Sequence, residues 1–324
     1  INCWDKDLQR YIYSTQVESY HPFRLYMNEL PAWDGTDRLK PLAKRVSNIP
    51  LWIKSFHTWM LGLAAQWLGV NQTQANSVAP ILISEEQGRH KSTFCRMLMP
   101  PQLARYYSDN LKLTAQGNPE RLLAEMGLLN MDEFDKFGAQ KMPLLKNLMQ
   151  MSSLNICKAY QKNFRSLPRI ASFIGTSNRT DLLCDPTGSR RFICIEAEHD
   201  IDCTGIEHSQ IYAQLKEELL AGARHWFNKE EEHALQCHNM AYYHVNPIED
   251  IVRNTYAPAT LNESDCLSLS AAIIHQELKK RFPAALRSCT PIQLAQIFTA
   301  TGISRQHTRL GNVYLVKRVK DSKE

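Results

Sequence analysis

The chain has 324 residues, 44% of them hydrophobic, and a formal net charge of +5. That apolar content is ample for real cores in two or three structural units, and the mild basicity permits a nucleic-acid or nucleotide partner. No apolar run approaches the roughly 18 residues a membrane span needs, and no signal peptide is visible.

The nine cysteines contain no C-x-x-C pair, which reads as reduced, mostly buried thiols of a cytoplasmic protein. The first residue is Ile1, so the expectation is a piece of a longer protein with a further domain upstream.

Residues 1–78 read as a helical region. Pro31 and Asp34-Gly35 mark a turn. Trp52, Phe56, Trp59, Met60, Leu63, Ala64 and Trp67 then recur at helical spacing between Leu51 and Leu68, which predicts a core-packed helix.

Residues 79–206 change character. Short apolar runs recur at Ala79–Ile83, Gly127–Met131, Ile170–Gly175 and Phe192–Ile195, with a weaker one near Tyr106-Tyr107. Helical stretches separate them, one opening at Asn118-Pro119 and another covering Met142 to Met151. Strands alternating with helices predict a parallel sheet covered on both faces.

The first strand leads into Ser84-Glu85-Glu86-Gln87-Gly88-Arg89-His90-Lys91-Ser92-Thr93. This is the layout of a phosphate-binding loop, a strand and turn that open a helix at Lys-Ser/Thr. Gln87, Gly88, Arg89, His90, Lys91, Ser92 and Thr93 are the candidate nucleotide contacts. Lys91 would reach the phosphates of ATP, and Ser92 would ligand Mg2+. The two glycines of the usual spacing are replaced by Glu85 and His90. Such a loop is either distorted or tolerated through favourable backbone angles, and Glu85 adds negative charge near a triphosphate.

The next strand ends in Asp132-Glu133. Asp132 suits the metal ion, and Glu133 suits activation of a water. Lys158-Ala159-Tyr160-Gln161-Lys162-Asn163-Phe164-Arg165, followed by Arg169, interleaves basic and aromatic residues. That suits a strand-turn-strand tracking a nucleic-acid backbone through Lys158, Lys162, Arg165 and Arg169, or an ordinary solvated hairpin. The strand Ser172–Gly175 delivers Asn178 to the sheet edge, where it could orient water or sense the γ-phosphate. Arg190 and Arg191, before the last strand, suit phosphate contact within the subunit or in a neighbour's site.

Residues 207–245 read as a helical extension with Ile211, Leu215, Leu219, Ala223 and Trp226 on one face. His225, His233, His238 and His244 lack zinc spacing. Residues 239–265 look like a linker. From Leu267 a compact unit begins. Leu267, Ala271, Ile274, Leu278 and Phe282 make a helical stripe, and Thr290-Pro291-Ile292-Gln293 caps a second helix that Gly302 ends. Val313–Val319 closes as a strand. This predicts a winged-helix-like domain over 246–324.

Together these motifs resemble the virulence-associated protein E family, primase-helicase-type P-loop ATPases of mobile elements related to superfamily 3 helicases of the AAA+ class. His21-Pro22-Phe23 and Leu30–Leu39 are similar to the family's lead-in. Gln87-Gly88 with Lys91-Ser92-Thr93-Phe94 resemble its loop, Gly175-Thr176-Ser177-Asn178 its "GTTN", and Asp185–Phe192 its "DPTGNRRF". The resemblance implies an α/β fold: an AAA+-like P-loop sheet between an N-terminal helical region and the C-terminal domain. It also implies an ATP- and Mg2+-dependent motor on single-stranded DNA, a homo-oligomeric ring that could be a hexamer, and an upstream primase-type domain. Arg190 or Arg191 would be the finger into a neighbour, and Lys158 to Arg169 the DNA-touching hairpin. Two alternatives stay open: a degenerate, non-catalytic core that binds DNA or a replication partner, and an ATP-driven regulatory or defence switch.

Overall fold

The computed structural model describes residues 4–17, 20–70, 73–138, 140–157, 164–183, 186–243, 247–261, 263–287, 289–309 and 311–319. The chain divides into two compact units, Ile1–Tyr243 and His244–Glu324.

The first unit opens with helices α1 (Asp5–Ile12), α2 (Pro22–Asn28), α3 (Leu39–Lys44) and α4 (Pro50–Leu68). Helix α4 starts at proline, where the missing N–H costs nothing, and stops at Gly69 in the left-handed region. Trp52, Phe56, Trp59 and Trp67 are all buried, so this helix is apolar nearly all round and lies inside the protein.

Strand β1 (Ala79–Ile83) and helix α5 (Lys91–Met97) flank the loop of interest. Then come β2 (Tyr107–Ser108), α6 (Pro119–Glu125), β3 (Leu128–Met131), α7 (Met142–Gln150), β4 (Ser153–Cys157), β5 (Phe164–Pro168), β6 (Ser172–Ser177) and β7 (Phe192–Glu196). Five of these strands form one sheet in the order β2-β3-β6-β1-β7. Every pairing in it is parallel. The remaining two, β4 and β5, pair antiparallel as a hairpin inserted between β3 and β6.

Alternation along each strand sends neighbours to opposite faces. Leu82, Leu128, Ile174, Ile193 and Ile195 join the aromatic cluster around α4. Ile81, Ile83, Leu129, Phe173 and Cys194 join the cluster that holds Leu145, Leu148 and Met149 of α7. Gly175 leaves no room for a side chain: a Cβ there would lie 2.8 Å from Ile81 Cδ1.

Helices α8 (His208–Leu220) and α9 (Lys229–His238) complete the unit. Ile211, Leu215 and Leu219 face inward as expected. The helix ends at Leu220, so Ala223 and Trp226 lie in the turn beyond it and not on its apolar face. The N-terminal helices, the sheet and the helical extension thus make one unit.

The second unit comprises α10 (Pro247–Thr255), β8 (Tyr256–Pro258), β9 (Leu267–Ser270), α11 (Ala271–Arg281), α12 (Pro291–Ala300), β10 (Arg305–Thr308) and β11 (Gly311–Arg318). Its strands are antiparallel, with β11 pairing β8, β9 and β10. Helix α10 falls inside the expected linker. Leu267 belongs to a strand and not to the helical stripe, because Ser270 caps α11 and starts it later. Thr290 and Gln293 form the expected capping box, and Gly302 follows α12 in the left-handed region at φ 80°.

Candidate functional site

The loop Ser84–His90 leaves the carboxyl end of β1. Gly88 has φ 87° and His90 φ 57°. Glycine reaches that region freely, and histidine is among the side chains that tolerate it. His90 therefore takes the backbone shape a glycine would take, at about 1 kcal/mol of local strain. Glu85 is exposed, accepts from Thr180 Oγ1 at 3.4 Å, and is not among the residues lining the cleft.

Lys91 folds back beneath the loop and is only 8% exposed. Its Nζ donates to the Ser84 carbonyl at 3.1 Å and to Asn178 Oδ1 at 3.0 Å. Burial lowers its pKa, and the Asp132 carboxylate opposes that shift. Ser92 Oγ donates to Asp132 Oδ1 at 3.0 Å, and Thr176 Oγ1 donates to the same oxygen at 2.5 Å. These groups converge because β1, β6 and β3 are adjacent and parallel, so their carboxyl ends share one sheet edge.

A cleft of about 330 Å³ opens over this cluster. It is lined by Gln87 to Thr93 together with Asp132, Glu133, Thr176 and Asn178. The Glu133 carboxylate is ion-paired to Lys136 at 2.5 Å. Arg89 lines the cleft, but its guanidinium reaches Glu86 at 2.6 Å and Asp200 at 3.7 Å. The sequence reading missed Thr176 and Ser84. Thr176 lies two residues before Asn178, the spacing that keeps side chains on one face of an extended chain.

Arg190 and Arg191 stand at the other end of the sheet. Phe192 pairs with Ala79 at the start of β1, so the five-residue strand separates them from the loop by roughly 15 Å. Arg190 is held by Glu232 of α9 at 3.0 Å. The option that they serve their own subunit's cleft is thereby corrected. Asp185 lies outside the described residues.

The strands on either side of the basic segment, β4 and β5, pair antiparallel. Lys158 and Lys162 lie outside the described residues, and of Arg165 only the backbone is described. Arg169 is a correction. It is 3% exposed and donates to the carbonyls of Ala171, Leu148, Met149, Met151 and Asn76. Its guanidinium also lies 5.1 Å from the centre of the Phe173 ring. Burial pulls its pKa down to about 9, which leaves it charged at neutral pH. A side chain so enclosed ties the hairpin base to α7 and the sheet, and it cannot touch DNA.

The model of the virulence-associated protein E-like domain matches residues 27–244. The chain belongs to the virulence-associated protein E-like family. Residues 245–316 match a domain of unknown function named from a B. theta gene description. Among solved structures the chain is similar to the apo NrS-1 C-terminal region (305–718), at 15% identity over 91% of this chain and 78% of that one, with a TM-score of 0.43. The A form of the same region gives 16% identity over 90% and 78%, with a TM-score of 0.44. No curated protein matches.

The lead-in of this family member is a joint. The Arg38 guanidinium forks onto both oxygens of Asp34 at 2.7 Å and reaches Glu207 at 3.0 Å. Asp37 accepts from the amides of Leu39 and Lys40 and from Gln214 of α8. Those letters dock the segment before α3 onto α8 and take no part in the cleft. Among the described residues no helix is long and apolar enough to cross a membrane.

Proposed function

We propose that this chain is the ATP-driven motor segment of a mobile-element replication protein, acting on single-stranded DNA in the cytoplasm. One observation carries the reading: Lys91, Ser92, Asp132 and Asn178 meet at the carboxyl ends of three adjacent parallel strands. The order β2-β3-β6-β1-β7 supports an AAA+-like P-loop core, with the loop on β1, the acidic pair on β3 and the polar asparagine on the strand between. The helices and antiparallel strands of the second unit support a winged-helix reading.

The residues fit ATP and Mg2+. Left-handed Gly88 and His90 suit a phosphate-wrapping turn. Ser92 and Asp132 offer the hard oxygens magnesium prefers. The bound nucleotide would supply the bond to be cleaved and its cation the charge neutralisation. Lys91 would exchange Asn178 for phosphate oxygens, which frees the Asn178 amide to orient a water. Glu133 would leave Lys136 and take the proton from that water. Arg190 or Arg191 would serve the cleft of a neighbouring copy, in a ring that could be a hexamer. The β4–β5 hairpin, with Lys158, Lys162 and Arg165, would touch the strand.

Calorimetry with Mg2+-ATP tests this, wild type beside Lys91→Ala. Tight binding that falls about 100-fold in the variant is expected, since a charge-assisted contact to phosphate is lost. No binding by the wild type, alone or with single-stranded DNA, would favour the non-catalytic core.

A further inference from the structure

The second unit carries a charge pattern that the nucleotide cleft does not use. Between Glu277 and Asp321 the chain has nine lysines and arginines and no acidic residue. Two of the nine are engaged by acids outside that run, Lys317 by Glu263 at 2.8 Å and Arg318 by Glu277 at 3.0 Å. Arg305 on β10 and Arg309 in the turn after it are exposed. Neither has an ion pair among the described residues.

Helix α12 lies beside them. Leu294 and Phe298 are buried, with the Phe298 ring 4.8 Å from Tyr314 of β11. The opposite face holds Ile292, Gln296 and Thr299, all exposed and uncharged, with Ile292 at 75%. Arg305 pairs directly across from Tyr314, and His307 from Asn312. Residues directly opposite in an antiparallel pair share a face. Arg305 and His307 therefore stand on the face of the hairpin that carries Tyr314, against which Phe298 of α12 packs, and both are exposed.

A helix with an exposed, uncharged outer face on a unit that also exposes Arg305 and Arg309 suits one ligand well. The major groove of B-form DNA admits a helix, glutamine and threonine read base edges there, and an exposed isoleucine can meet a thymine methyl. Arginines beside it neutralise the phosphates. A single strand would call for aromatic stacking platforms, and Ile292, Gln296 and Thr299 offer none. The deep, narrow major groove of double-stranded RNA excludes a helix.

We infer that the second unit binds duplex DNA, with α12 in the major groove and Arg305 and Arg309 on the flanking phosphates. The site is separate from the nucleotide cleft and does not depend on ATP.

The test is fluorescence anisotropy of the full chain on a labelled mixed-sequence duplex and a single strand of equal length, across a salt series. The variants are Arg305→Ala/Arg309→Ala and Ile292→Glu, all at exposed positions. Each should weaken duplex binding about tenfold, and the double variant should lower the salt slope by about 2. Single-strand binding should stay unchanged in both. Failure of the wild type to bind duplex would overturn the inference. So would variants with unchanged duplex affinity and slope, or an equal loss on the single strand. Lys91→Ala should keep duplex binding while losing ATP, so this module and the motor reading fail independently.

Discussion

Two buried cations stand at opposite ends of one sheet. At the carboxyl end, Lys91 has two acceptors, a backbone carbonyl and the Asn178 side chain, and it faces a cleft. At the amino end, Arg169 has five carbonyl acceptors and lies in a closed core. Burial lowers the pKa of both. What separates them is how completely their donors are satisfied. A buried cation with an exchangeable side-chain partner beside a cleft is poised for a ligand, whereas one saturated by main-chain carbonyls is a strut.

The largest effect that could break this comparison is on folding. Arg169→Met removes the donor from five buried carbonyls and should cost about 3–5 kcal/mol, a fall in Tm of roughly 10 °C. Lys91→Met should leave Tm unchanged or higher, because burial disfavours its charge and only two acceptors offset that cost. Equal losses in the two thermal scans would put both lysine and arginine among the struts.

A pH series sharpens the same contrast. Burial depresses the pKa of folded Lys91 below its ordinary value of 10.5, so its charge opposes folding at neutral pH. That cost fades as pH rises through the folded pKa and is gone above 10.5. The stability advantage of Lys91→Met in urea should therefore shrink with rising pH. An advantage that grows would mean the ammonium is stabilised in place.

The smallest effect concerns the loop. His90→Gly should relieve about 1 kcal/mol of left-handed strain and raise Tm by about 2–3 °C, while His90→Val should lower it. A fall in the glycine variant would mean that the imidazole itself braces the turn.

Much of the fold could be read from the sequence because a buried parallel strand is a short, nearly continuous apolar run. All five sheet strands fall on such runs, even the two-residue β2 at Tyr107. Helix α10 was harder to read, since Pro247–Thr255 is only nine residues long and its apolar stripe rests on three residues, Ile248, Ile251 and Val252. That Lys91, Ser92 and Asp132 would come together was legible because a Lys-Ser/Thr pair opening a helix and an acid ending a neighbouring strand are visible in the sequence. Arg169 misled for a plain reason. Sequence shows that a residue is cationic, but not that five carbonyls will surround it. His90 left two outcomes open, distortion or tolerance, because a missing glycine says nothing of the backbone angle another residue will accept, and at φ 57° the second holds.

Strand β6 joins these two places. It is buried along its whole length and hydrogen-bonded to β3 on one side and β1 on the other. At one end Arg169 grips the carbonyl of Ala171, and just past the other Asn178 holds Lys91. A strand paired on both sides cannot stretch, and it can slip only by whole residues that would turn its side chains to the wrong face. It spans about 20 Å, so Asn178 at the cleft and Arg169 at the base of the β4–β5 hairpin are held at a fixed separation by one register-locked strand.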